Sequence, residues 1–237
     1  MSNENEAKLQ LFLLPFAGGD STSFRKLTDL LDARIDCFTV AYAGRGNRRK
    51  EPLFTDYSVF LDDVRKQIQK VRRQELPFAC LGYSAGAVYT YELLSHHDIP
   101  GKLIHTFLCS KGRISGEVPS SHWWKLSDEE FAGYMKRLGG IDERILKDER
   151  FRSIYLEPIK ADYRLYDQFV FHPGKIPSDI TCIYSPQDEI AEGVEDWKRL
   201  TEGFVDFYPM GMNHFFIYDH WQDVADIINN KLKDYLS

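Results

Sequence analysis

Ser84 stands between two glycines in Gly82-Tyr83-Ser84-Ala85-Gly86. A serine hydroxyl is a weak nucleophile until a neighbouring base takes its proton. The Gly-x-Ser-x-Gly pattern puts such a serine on a sharp strand-to-helix turn, with its hydroxyl raised above the strand end. The flanking glycines relieve crowding where backbones come close. Alone the pattern says little. Three fixed residues at roughly 7% usage each match by chance in about one chain in ten of this length.

The chemistry needs a base and an acid. In sites of this kind they follow the serine in the order acid, then histidine. Asp188 lies in Ser185-Pro186-Gln187-Asp188-Glu189, directly after the apolar run 180–184. His214 lies in Gly211-Met212-Asn213-His214-Phe215-Phe216, after the run 205–208. The expected roles follow: His214 removes and returns the proton, and Asp188 holds the imidazole tautomer. Glu189 is a neighbouring rival to Asp188. Asp179 precedes its strand, at the wrong end. His220 is the nearest rival to His214 but sits in or beside the last helix. His96, His97, His105, His122 and His172 read as structural or exposed. A developing oxyanion needs two backbone N–H donors. Ala85, directly after the serine, supplies one. Ala17, in the early loop Pro15-Phe16-Ala17-Gly18-Gly19, is the expected second; a plain tight turn is the other reading of that loop.

These residues require elements to carry them. Six strand-like runs recur, at 9–14, 35–40, 78–81, 103–109, 180–184 and 205–208. Such apolar runs suit strands buried on both faces of a parallel sheet. Helical periodicity fills gaps between them. Tyr57 to Arg73 places Val59, Phe60, Val64, Ile68 and Val71 near a 3.6 period, and Trp221 to Leu236 carries a similar stripe. Alternating strand and helix predicts a doubly wound α/β fold. The three site residues then fall at the carboxyl ends of strands, where sites of open sheets form.

From about 113 to 172 the alternation stops. Two helices are expected there. Ser127 to Leu138 opens with a capping-box pattern, and Leu146 to about Tyr166 is interrupted near Pro158. This insertion reads as a helical lid. Its aromatic residues read mostly as its own packing, with a minority lining a substrate pocket.

Composition bounds the rest. The 237 residues suit one α/β domain, 1–237, with a sizeable core. A net charge of −6 argues against wholesale nucleic-acid binding. No run approaches the roughly 20 apolar residues of a membrane span, and no signal peptide is visible. Cys37, Cys80, Cys109 and Cys182 form no CxxC and read as buried thiols in a reducing cytoplasm. No clustered Cys/His ligands suggest a metal, and no cofactor is implied.

With these motifs in hand, the chain resembles the α/β-hydrolases, and among them the type II thioesterases of non-ribosomal peptide and polyketide assembly lines. The resemblance takes in Leu14-Pro15-Phe16-Ala17-Gly18-Gly19, Ala43-Gly44-Arg45-Gly46-Asn47-Arg48 and the Ser84 turn. It continues through Leu126-Ser127-Asp128-Glu129-Glu130, Leu138-Gly139-Gly140 and Lys160-Ala161-Asp162-Tyr163. It ends with Asp188, Trp197 and His214-Phe215-Phe216. It implies hydrolysis of acyl groups from the phosphopantetheine arm of a carrier protein by a monomer. Ser84, Asp188 and His214 would be the triad, and Ala17 and Ala85 the oxyanion donors. A chain-releasing acyltransferase or cyclase, a medium-chain acyl-carrier or acyl-CoA thioesterase, and a non-catalytic carrier-binding module stay open beside it. The chain departs from the family pattern at Tyr83, usually His, at Ala85, usually Met or Leu, at Ala43, usually Pro, and at Gly211-Met212-Asn213, where paired glycines usually precede the His. Arg45, Arg48, Arg49 and Lys50 form a basic cluster. One reading is contact with an acidic carrier protein or the arm's phosphate; the other is a solvated loop face.

Overall fold

The computed structural model describes residues 7–96, 98–115, 122–139 and 149–237. Six strands form one sheet in the order β2-β1-β3-β4-β5-β6. They are β1 (Leu9–Leu14), β2 (Ile35–Thr39), β3 (Phe78–Tyr83), β4 (Leu103–Cys109), β5 (Ile180–Tyr184) and β6 (Val205–Pro209). All five pairings are parallel. Every strand therefore ends on the same edge, as the apolar runs predict. The largest shift of a strand end is at β3, which runs on to Tyr83 and meets the Ser84 turn without a gap.

Strand residues alternate between two cores because the side-chain period is two. Leu9, Leu11 and Leu13 of β1 face one cluster, shared with α1 (Arg25–Thr28) and α6 (Trp221–Leu232). Phe12 and Leu14 face the other, built with α2 (Tyr57–Val71) and α3 (Ala85–Ser95). Helices thus cover both faces. In α2 the buried residues are Phe60, Val64 and Ile68, whereas Val59, expected in the same stripe, is exposed. The last helix stops at Leu232 and gives way to a single 3-10 turn.

Between β4 and β5 lie α4 (Asp128–Arg137) and α5 (Glu149–Tyr166). The expected capping box at Ser127 and Glu130 is present, with both reciprocal bonds made. The expected start of the second helix, at Leu146, lies outside the described residues. The expected break at Pro158 does not occur: α5 runs through it. A proline inside a helix leaves the carbonyl four residues earlier without its donor. Here that residue is Ile154, which is largely exposed. Most aromatics of the segment pack on each other, as expected. Trp123 stacks on Tyr134 with centroids 4.0 Å apart, and Phe131 meets Tyr163 edge-on at 5.5 Å. Tyr155 is the exception, exposed beside Ile154.

Candidate active site

Ser84 occupies a strained backbone conformation, φ 55° and ψ −115°, directly after β3 and at the mouth of α3. Strain of this kind persists only where the surroundings enforce it. Here they do so through close crossing. A side chain at Gly86 would begin 2.0 Å from the Leu14 carbonyl oxygen, and one at Gly82 would begin 2.5 Å from that of Gly86. Both glycines are there because backbone lies where a Cβ would go.

The structure brings the three expected side chains together. His214 Nε2 lies 2.9 Å from Ser84 Oγ, and its Nδ1 lies 2.7 Å from Asp188 Oδ2. A carboxylate only accepts, so Nδ1 carries the proton and Nε2 is left to accept from the serine. The other Asp188 oxygen accepts the Ile190 N–H at 3.0 Å, which fixes the carboxylate plane. Asp188 and His214 are buried, while Ser84 is half-buried and reachable. Glu189 and His220 are not part of this chain: His220 pairs instead with Asp223, 2.8 Å away.

Two features around the histidine escaped the sequence. Tyr83, fully buried, donates its hydroxyl to the His214 carbonyl at 2.6 Å. Burial pushes the Tyr83 hydroxyl well above its ordinary range, so it keeps its proton. Ser110, at the end of β4, places its hydroxyl 2.7 Å from the same carbonyl. Ser110 also has a positive φ of 48°. Tyr83 could have been suspected, because it sits where the family pattern differs. Nothing local marks Ser110.

The loop after β1 carries Ala17. Pro15 accepts from the Tyr42 hydroxyl at 2.9 Å, and the Gly19 N–H returns to the Phe16 carbonyl at 2.8 Å. Among the described residues no acceptor takes the Ala17 N–H. Ala85 opens α3, where the first N–H groups have no intrahelical acceptor. Both expected donors are thus unengaged.

The basic cluster divides. Arg45 is buried against Asp162 of α5, with both guanidinium nitrogens 2.6 Å from the carboxylate. Arg48 bonds Glu51 and Asp63. Only Arg49 and Lys50 are exposed. Neither reading of the cluster as one surface holds, because two of its four charges serve the fold.

No group of His, Cys, Asp or Glu among the described residues is arranged to hold a metal. No described helix is long and apolar enough to cross a membrane.

Comparison with known proteins agrees with this geometry. The family model described as a thioesterase domain matches residues 9–232. The gramicidin S biosynthesis protein GrsT of Aneurinibacillus migulanus is 28% identical over 96% of this chain and 90% of its own length. The medium-chain S-acyl fatty acid synthase thioesterase of Homo sapiens is 29% identical over 90% and 83%. Among solved structures, the type II thioesterase BorB from the borrelidin biosynthetic cluster superposes with a TM-score of 0.84 at 26% identity, covering 94% of this chain and 92% of that one. With an α/β-hydrolase sheet, a serine held to a histidine and the family pattern across nearly its whole length, the chain belongs to the thioesterase domain family and is a thioesterase.

Proposed function

We propose that this thioesterase releases acyl or aminoacyl groups from the phosphopantetheine arm of carrier proteins in a peptide- or polyketide-producing assembly line. Ser84 is the nucleophile, His214 the general base and acid, and Asp188 the residue that orients the imidazole. The unbroken line from Ser84 Oγ through His214 to Asp188 carries this reading. As Ser84 attacks the thioester carbonyl, its proton passes to His214 Nε2. The N–H groups of Ala17 and Ala85 hold the oxyanion. Collapse breaks the carbon–sulfur bond, and His214 returns the proton to the departing pantetheine thiol. Water then attacks the Ser84 ester, giving a proton to His214; collapse breaks the bond to Ser84 Oγ, His214 returns the proton to that oxygen, and free acid leaves.

The carrier-bound substrate is carried over from relatives whose names place them in such pathways, GrsT and BorB. We infer a single catalytic domain of 1–237, in which α4 and α5 act as the lid. The cytoplasm is its place of action; four unpaired cysteines support a reducing compartment. The test is release of labelled acyl groups from an acylated carrier protein. Ser84→Ala should lower the rate by about 10⁵-fold or more. A variant as fast as the wild type refutes the nucleophile, and a cyclised product in place of free acid refutes hydrolysis.

A further inference from the structure

Three segments far apart in the chain meet at one carboxylate. Asp162, on α5, is almost completely buried. Its Oδ2 accepts the backbone N–H of Gly18 at 2.7 Å, a contact across 144 residues. The same oxygen accepts from Arg45 at 2.6 Å, and Oδ1 takes the second Arg45 nitrogen, also at 2.6 Å. Arg45 is itself buried, at the end of the segment after β2. The bidentate geometry leaves the carboxylate no freedom to turn.

What is held matters. The Gly18 N–H belongs to the Ala17–Gly18 peptide, next along the chain from the Ala17 N–H. Ile159, one turn before Asp162, lies directly under Gly18; a side chain there would begin 2.4 Å from its Cγ1. Gly18 also has a φ of +83°. On the near side the loop is pinned at Pro15 by Tyr42. Ala17 therefore sits between two anchors, with its own N–H unused.

We propose that Asp162, clamped by Arg45, is a positioning residue that aims the Ala17 N–H at the oxyanion. It acts through the Gly18 peptide and touches no substrate. The proposal rests on the reading of Ala17 as an oxyanion donor given above. It also makes the helix over the site part of the catalytic electrostatics: α5 must be seated for the donor to point correctly. Lys160 of the same helix ties α5 to the start of α4, donating to the Leu126 carbonyl at 2.8 Å and to Asp128 at 2.6 Å.

The test uses the full chain with a small acyl thioester. It is paired with a trifluoromethyl ketone of the same acyl group, which becomes a tetrahedral oxyanion on Ser84. Asp162→Asn is expected to lower kcat about 10²-fold with KM within about threefold. Affinity for the ketone should fall by the same factor as kcat, while the midpoint of the pH profile of kcat/KM stays in place. Arg45→Lys keeps a paired charge but loses the second bond. It should cause a smaller loss, about tenfold, in the same two quantities, and it carries the test should Asp162→Asn fail to fold. Unchanged ketone affinity, or a loss confined to KM, overturns the proposal. Ser84→Ala in the same assay separates the two claims: if it abolishes turnover while the Asp162 and Arg45 variants keep full kcat, only the positioning role falls.

Discussion

The histidine at position 214 is held from both of its ends. Its imidazole is set by Asp188, and its backbone carbonyl is gripped by Tyr83 and Ser110. Tyr83→Phe removes one of the two hydroxyls on that carbonyl. It should cost about 1–2 kcal/mol of stability, read from urea unfolding. It should also lower kcat about tenfold at constant KM, because a shifted ring transfers protons less well. Unchanged kcat would show that Ser110 alone suffices. At this scale the sequence was informative where chemistry is local. Ser84, Asp188 and His214 could be read because each follows an apolar run closely and in the right order. Ser110 could not, since its role depends on a φ that no residue type announces. The basic cluster was illegible because its partners are distant in the chain. Arg45 finds its partner 117 residues away, and charge in a loop looks the same whether it faces water or a buried carboxylate.

Strands and helices meet in this fold at fixed distances, and two crossings are open to test. The first is α3 over the end of β1. Gly86→Ala would drive a Cβ into the Leu14 and Pro15 carbonyl oxygens, which are backbone and cannot rotate aside. A loss of more than about 3 kcal/mol is expected, visible as a fall in melting temperature or as insoluble protein. The second is the β4–β5 pair, where His105 Nε2 lies 2.8 Å from Thr181 Oγ1. Burial, aided by the charge of Lys231, lowers the His105 pKa to about 4, against an ordinary 6.5. The unfolded chain then binds a proton that the folded one refuses. Stability from this residue is complete above pH 6.5 and drains away as pH falls towards 4, by roughly 3 kcal/mol at most. In His105→Gln the fall in urea midpoint between pH 7 and 4.5 should be shallower; equal slopes would remove His105 as a cause. Element positions were legible because apolar runs and 3.6 periodicity are statements about burial. The break expected at Pro158 was not borne out, since the cost of a proline depends on which carbonyl it strands, and Ile154 is largely exposed.

Among the described residues, every neighbouring pair of strands in the sheet is parallel. Parallel neighbours need a crossover between them, so no strand finds its partner through a tight turn. β1 must pair on one side with β2 and on the other with β3, where Gln10 faces Phe78. Such long-range pairing makes folding slow, on the order of milliseconds to seconds. Refolding from urea should therefore regain helical signal before thioesterase activity, and simultaneous recovery would argue against late assembly of the site. The sheet order could be inferred only as a class from sequence, because the runs themselves do not say which strand sits beside which. The separation of Ser84 from His214, 130 residues, has a further consequence for synthesis. A growing chain makes its serine turn 130 residues before it makes the base. Until β6 and the loop after it have been made and docked, the nucleophile has no proton acceptor. A translation product that stops short of His214 cannot strip acyl groups from anything, and the cell is spared a half-made hydrolase.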